Sequence, residues 1–71
     1  MVIYAIDDEK NALEYIIRKI KSAEPDAEVY GFNSATAAIE SAKDLKFDVA
    51  FINNHFIPAP LFLHFTISLL Y

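Results

Sequence analysis

The chain opens with an uninterrupted apolar segment, Val2–Ile6, which is followed directly by the acids Asp7, Asp8 and Glu9. A strand without polar alternation is usually covered on both faces, as in a parallel sheet that lies between helices. We therefore predict a buried strand with acids at its carboxyl end. Asp8 is the expected N-cap of the helix that follows.

The next segments alternate between helical and strand patterns. An i, i+3, i+4, i+7 spacing predicts an amphipathic helix over residues 10–22, and its apolar face is Leu13, Ile16, Ile17 and Ile20. Strands are predicted at 27–32 and 47–52. The helix between them, capped by Asn33 or Ser34, has a narrow face of Ala35, Ala38, Ile39, Ala42 and Leu45. This order predicts an α/β fold with a mostly parallel sheet and two helices.

The C-terminal segment alternates differently, with Leu63, Phe65, Ile67, Leu69 and Tyr71 on one side. A period of two predicts a half-buried C-terminal apolar strand. The connection from Asn53 to Phe62 is expected to be irregular and is too short for a parallel crossover. The last strand should therefore return antiparallel or pair with another chain.

Charge divides the chain sharply, because all sixteen charged residues lie at or before Asp48. A net charge of -4 without a basic patch argues against nucleic-acid binding. With no cysteine, disulfides and cysteine-based metal sites are also excluded. No signal peptide is visible, and the apolar stretch from Phe56 to Tyr71 is shorter than the about 20 residues of a membrane span. We expect a cytoplasmic protein with no membrane partner; a membrane-associated tail is the less favoured alternative.

The acids at the end of the first strand are the main candidate for chemistry. Adjacent carboxylates repel unless a cation or a donor offsets them, and Mg²⁺ commonly takes one or two carboxylates. Asp7 and Asp8 are therefore candidate ligands for Mg²⁺, and His55 is a weaker third candidate. The alternative is that Asp8 caps a helix, Asp7 is solvated and His55 is an ordinary loop histidine.

The segment Ile3-Tyr4-Ala5-Ile6-Asp7-Asp8-Glu9 and its helix resemble the start of a bacterial response-regulator receiver domain. Phe47-Asp48-Val49-Ala50-Phe51-Ile52 resembles the third strand of such domains, in the style of regulators with a LytTR-type DNA-binding domain. The resemblance implies a flavodoxin-like fold, and a histidine kinase or another receiver as partner. It covers residues 1–53 as a partial receiver domain, truncated or divergent after the third strand, and leaves 54–71 as a divergent apolar tail.

The resemblance also implies roles for single residues. Asp7 and Asp8 match the metal-binding pair, and the phosphoacceptor position falls on Asn53. An amide is a poor nucleophile, so phosphorylation is not expected there. The lysine that would contact the phosphoryl group is missing as well, since no lysine follows Lys46.

These features predict a non-enzymatic, phosphorylation-incompetent receiver domain related to two-component signalling that acts through protein association. The alternative is a receiver-like domain that binds metal through Asp7 and Asp8 without phosphotransfer. We further expect a homodimer in which tail side chains cover the open sheet, namely Phe62, Leu63, Phe65, Ile67 and Leu69. A poorly soluble monomer that aggregates is the other outcome of so apolar a tail.

Overall fold

The computed structural model describes the backbone of residues 1–70 and the side chains of residues 1–64. In chain order the elements are β1 (Val2–Ile6), α1 (Lys10–Ala23), β2 (Glu28–Phe32), α2 (Ala35–Ala42), β3 (Val49–Ile52), β4 (His55–Pro58) and α3 (Ala59–Leu70). The fold is a small α/β domain with a four-stranded, mostly parallel sheet. This confirms the predicted α/β class with a mostly parallel sheet, and it confirms the first three strands to within about two residues at each end.

The sheet has the order β2-β1-β3-β4, so β1 lies between two parallel neighbours. Ala5 pairs with Gly31 on one side and with Phe51 on the other. The fourth strand, β4, runs antiparallel to β3. The uninterrupted apolar run of β1 follows from this central position, because helices pack against both of its faces.

One face of the sheet packs against α2 and α3. Its buried residues are Tyr4, Ile6, Ala38, Phe47, Ala50 and Phe62. The ring of Tyr4 stacks on Phe47 with centroids 4.3 Å apart, and Phe62 of α3 meets Phe47 edge-on at 5.7 Å. Aromatic packing of this kind ties the C-terminal helix to the first strand.

The other face of the sheet packs against α1. Its buried residues are Ile3, Ala5, Ile20 and Ala27, with Leu13 and Ile17 of α1 beside them. Gly31 of β2 lies under the helix: a Cβ atom there would stand 2.7 Å from Cδ1 of Ile17. The absence of a side chain therefore sets how closely α1 approaches β2.

The predicted C-terminal strand is wrong, because residues 59–70 form the helix α3. The fold consequently has three helices rather than two in the part of the chain described. Nearly all side chains of the tail are apolar, so its alternation was a weak signal. Ala59, Phe62 and Leu63 have the i, i+3, i+4 spacing of one helical face, and all three pack on the core. Pro60 is tolerated because the first turn of a helix needs no backbone N–H donor there.

The predicted irregular connection is also wrong in part, since it contains β4. The turn between β3 and β4 consists of Asn53 and Asn54, both with positive φ (52° and 63°). Two residues in this conformation form the type I′ turn that favours hairpins, and asparagine tolerates it better than most residues. The antiparallel return expected after Asn53 thus comes from β4 rather than from the segment after Leu63.

The N-cap of α1 is Glu9 rather than Asp8. Its carboxylate accepts hydrogen bonds from the backbone N–H groups of Asn11 (3.1 Å) and Ala12 (2.6 Å). At α2, Ser34 is the N-cap and accepts from Ala37 N–H at 3.1 Å. Among residues 1–70, no helix is long and apolar enough to cross a membrane.

Candidate functional site

The carboxyl ends of β1 and β3 form the point of the sheet at which the chain changes direction. From β1 the chain crosses to β2 on one side, and from β2 it crosses over to β3 on the other side of β1. Open α/β sheets bind ligands in the crevice that this reversal leaves. Here Asp7 and Asp8 follow β1, and Asn53 follows β3.

A cavity of about 340 Å³ opens at this edge, and its lining includes Asp7, Asp8, Asn33, Ser34 and Asn53. The structure therefore brings together the acid pair and the asparagine singled out in the sequence. Asp7 is half-buried and Asp8 is exposed.

Hydrogen bonds hold Asp7 in place. Its backbone N–H donates to the carbonyl of Phe32 at 3.1 Å, and its Oδ1 atom accepts from Glu9 N–H at 2.9 Å. One oxygen of the carboxylate is thus occupied by the turn that starts α1. Asp7 therefore stabilises the turn before α1 and also lines the cavity.

The charged side chains that line this cavity are negative. The charged residues that line it are Asp7 and Asp8, and no Lys, Arg or His lines it among the residues described. Phosphoryl transfer depends on cations that offset the negative charge of the transferring group. This cavity has no side chain that provides such a charge, so a phosphoryl group would meet two carboxylates.

Among the described residues, Asp7 and Asp8 are the only carboxylates that line this cavity. Across the described part of the chain, no group of three or more His, Asp or Glu side chains is arranged to hold a metal ion. His55 is exposed and pairs with Ile52 at the start of β4, and it does not form such a group with Asp7 and Asp8. The candidate ligands for a cation that line this cavity are the carboxylates of Asp7 and Asp8 and the amides of Asn33 and Asn53.

The tail residues predicted to cover the open sheet are described only in part. Phe62 is 3% exposed and Leu63 is half-buried, and both pack on the sheet of their own chain. The side chains of Phe65, Ile67 and Leu69 lie outside those described. Whether the chain dimerises stays a prediction.

A second surface is not predicted by the sequence patterns. On the α1 side, α1 contacts β1 and β2, whereas α3 contacts β3 and β4 from the opposite side. Within the described part of the chain no helix covers the α1 side of β3 and β4, where Val49 and Phe51 are half-buried and Phe56 on β4 is 58% exposed. Its ring packs edge-on against Phe51 at 4.7 Å. The Asn53–Asn54 turn and the apolar residues after it are a sequence signal for β4, but not for the side of the sheet that stays uncovered.

Two cavities form one groove along this open surface. One, of about 450 Å³, includes Tyr15, Lys19 and Phe51, and the other, of about 520 Å³, includes Met1, Glu24 and Val49. Both are lined by Ile20, Ala23 and Phe56. We call this continuous surface between α1 and β3–β4 the α1 groove.

Comparisons of the chain with protein-family models, with curated proteins and with solved structures found no match.

Proposed function

We propose that this chain is a receiver-like domain that does not accept a phosphoryl group and that acts through protein association. The observation that carries the first half is the lining of the cavity at the carboxyl ends of β1 and β3. Asp7, Asp8 and Asn53 line it together, and no Lys, Arg or His lines it among the described residues. The arrangement fits the metal-binding and phosphoacceptor positions of the receiver family, with an amide in place of the nucleophile. Association as a function rests on the apolar α1 groove.

The role of Asn53 in the turn strengthens the first half of the proposal. Asn53 has a φ of 52°, a backbone conformation that both asparagine and aspartate tolerate. An aspartate would therefore fit the hairpin equally well. The amide instead removes a third negative charge beside Asp7 and Asp8, which lowers the repulsion within the cavity and removes the nucleophile.

The test is exposure of the chain to acetyl phosphate and Mg²⁺, followed by intact-mass and peptide mass spectrometry. We expect no covalent phosphate on the wild-type chain. The Asn53→Asp variant should gain a Mg²⁺-dependent label at position 53. Its carboxylate can attack the phosphodonor with acetate as the leaving group, and Mg²⁺ held by the acids would supply the positive charge that the side chains of the cavity lack. Asn54→Asp is the matched control and should stay unlabelled.

Two results would overturn this proposal. A phosphoryl group on Asn53 or a neighbour in the wild-type chain would contradict phosphorylation incompetence. Failure of Asn53→Asp to take any label would contradict the relation of this edge to a receiver site.

The second candidate function is binding of Mg²⁺ by Asp7 and Asp8 without phosphotransfer. It is favoured by the cavity that both acids line at the reversal point of the sheet. A Mg²⁺ titration followed by NMR should then shift the backbone signals of residues 7, 8 and 53 saturably. Asp8→Asn should weaken the shift. Asp44→Asn is the control and should not, because Asp44 is exposed and does not line the cavity. Wild-type signals that do not move on addition of Mg²⁺ would contradict this function.

A further inference from the structure

The strand β2 is one outer edge of the sheet, and its outward backbone groups are unpaired. Glu28 N–H donates to the carbonyl of Met1 at 2.9 Å, so the backbone of Glu28 faces β1. Successive residues of a strand direct their backbone groups to opposite sides, and Val29 and Gly31 therefore face away from the sheet. Within the described part of the chain, β2 pairs with β1 alone. The N–H and carbonyl groups of these two residues are thus open to a further strand.

The sequence of β2 does not protect this edge. Natural sheets discourage further pairing with lysines, prolines or bulges on an edge strand. β2 has none of these, since its five residues keep an unbroken register with β1 and its charged residue is Glu28 at the first position. Gly31 is exposed and has no side chain, so another backbone can approach it closely.

The other outer edge, β4, is less suited to pairing. Ala59 N–H donates to the carbonyl of Asp48 at 3.0 Å, which makes this pair a hydrogen-bonded one. Because such pairs alternate in antiparallel strands, the backbone of Pro58 faces away from β3. A partner strand would meet a proline nitrogen without a proton at that position, and this blunts the edge.

A second β2 strand fits this edge in one antiparallel register. A two-fold axis at Tyr30 sets Val29 of each copy opposite Gly31 of the other, and each such pair exchanges two backbone hydrogen bonds. Every outward N–H and carbonyl of the two residues is then paired. An axis at Val29 would instead set Gly31 opposite Ala27, whose N–H and carbonyl already form hydrogen bonds within the chain. An axis at Gly31 would set Val29 opposite Asn33, which lies beyond the end of β2.

The side chains are compatible with this register. On the α1 face, the half-buried Val29 would lie beside Gly31 of the second copy, which has no side chain to obstruct it. On the other face, the 38% exposed ring of Tyr30 would meet its own copy across the axis, and cross-strand aromatic pairs are stabilising. Glu28 would lie opposite Phe32. The two Glu28 residues would be four positions apart, about 13 Å, which exceeds the screening length of about 8 Å at physiological salt.

We propose that this chain forms a dimer in which two β2 strands pair antiparallel about a two-fold axis at Tyr30 and join the two sheets into one. The partner is a second copy because this single register pairs every outward backbone group of β2 and matches its side chains. The proposal goes beyond the proposed function, since the interface lies at the edge opposite β4 and leaves the α1 side of β3 and β4 uncovered. Only five residues per chain meet, against about 20–30 in a standard interface, so the dimer should be weak and reversible.

Charges placed on the two-fold axis test the register and the partner together. Sedimentation equilibrium over a range of concentrations should show a reversible dimer for the wild-type chain. Tyr30→Glu and Tyr30→Lys each set like charges opposite each other and remove the aromatic pair, so each should weaken its own dimer about tenfold. An equimolar mixture of the two variants sets opposite charges on the axis and should form heterodimers within about threefold of the wild-type affinity. Labelling one variant with ¹⁵N identifies the heterodimer by native mass spectrometry.

Tyr15 provides the matched control. Its side chain is 54% exposed and lines the α1 groove rather than the β2 edge. Tyr15→Glu and Tyr15→Lys should each dimerise as the wild-type chain does, and mixing them should not strengthen the dimer. Circular dichroism verifies that each variant is folded.

Amide hydrogen exchange of the wild-type chain locates the interface without substitutions. The amides of Val29 and Gly31 should exchange more slowly as the protein concentration rises. The amide of Phe56, which faces outward on β4 two residues before Pro58, should not change. A wild-type monomer, a mixture of the Tyr30 variants without heterodimers, or protection at Phe56 instead of Val29 and Gly31 would each overturn the proposal. None of these measurements uses phosphate or Mg²⁺, so the tests of the proposed function hold or fail independently.

Discussion

The phenolic hydroxyl of Tyr4 donates a 2.6 Å hydrogen bond to the backbone carbonyl of Leu45, 41 residues along the chain. Ser41 Oγ lies 2.9 Å from the same hydroxyl. Tyr4 has no exposed surface, so the strand at the centre of the sheet holds the end of α2 and the loop after it through a buried polar contact.

Tyr4→Phe tests this contact. The variant keeps the ring on Phe47 but leaves the carbonyl of Leu45 without this donor, so we expect a loss of about 1–3 kcal/mol in the free energy of unfolding. Urea denaturation followed by circular dichroism measures it. Tyr30→Phe is the control: it removes an exposed 3.3 Å bond to Glu28 and should change stability by less than about 0.5 kcal/mol. Equal losses for both variants would contradict the importance of the buried bond.

Gly31 and Ile17 should be energetically coupled. Gly31→Ala places a Cβ atom 2.7 Å from Ile17 Cδ1, and the displacement that follows should destabilise the chain by about 1 kcal/mol. Ile17→Val removes that Cδ1 atom, so the double variant should be more stable than the sum of the single effects by about 0.5–1 kcal/mol.

A double-mutant cycle by urea denaturation checks this coupling. Ile39→Val makes the same deletion on the opposite face of the sheet, where Ile39 packs on the other core, and should be additive with Gly31→Ala. Additivity for Ile17→Val as well would show that Gly31 does not set the approach of α1.

Glu9 should contribute more to α1 than its acidic neighbour does. Because its carboxylate accepts two N–H groups of the first turn, Glu9→Ala should lower the free energy of unfolding by about 1 kcal/mol. Asp8→Ala is the matched control and should be nearly neutral. Thermal and urea denaturation measure the stability of both variants. A larger loss of stability for Asp8→Ala than for Glu9→Ala would indicate that Asp8 is the N-cap of α1.

The pKa of Tyr30 is raised above its ordinary value, first by the negative charge of Glu28 and then by partial desolvation and their hydrogen bond. A raised pKa in the folded state favours the neutral phenol, so the stability it contributes is full below the ordinary tyrosine pKa and is lost as the pH rises through the raised value. Glu28→Gln should lower the pKa of Tyr30. An NMR titration of the Tyr30 ring carbon tests this, and a pKa unchanged by the substitution would refute the cause.

The strands and helices of residues 1–52 could be predicted closely from their sequence patterns. The apolar run of β1 and the stripe of Leu13, Ile17 and Ile20 each fit one period only, and the topology then places Asp7 beside Asn53. The C-terminal part could not be predicted as well, because its apolar side chains fit a period of two and a helix almost equally. The Asn53–Asn54 pair is a usable sequence signal for a two-residue hairpin turn, because asparagine tolerates the positive φ that such a turn requires.

The α1 groove lay beyond the reach of sequence patterns for a different reason. Phe56 and Tyr15 look like ordinary core residues along the chain. Their exposure depends on which side of the sheet each helix covers, and α3 packs on the side opposite α1. The side that each helix covers is determined by tertiary packing, so local periodicity does not predict it.

The most direct test of this account is sedimentation equilibrium of the wild-type chain in Mg²⁺, with and without acetyl phosphate, on samples whose intact mass is then measured. Association that is independent of phosphate predicts the same reversible dimer in both samples and an unchanged mass. A monomer in both, or an association that appears or disappears together with a covalent phosphate, would contradict it.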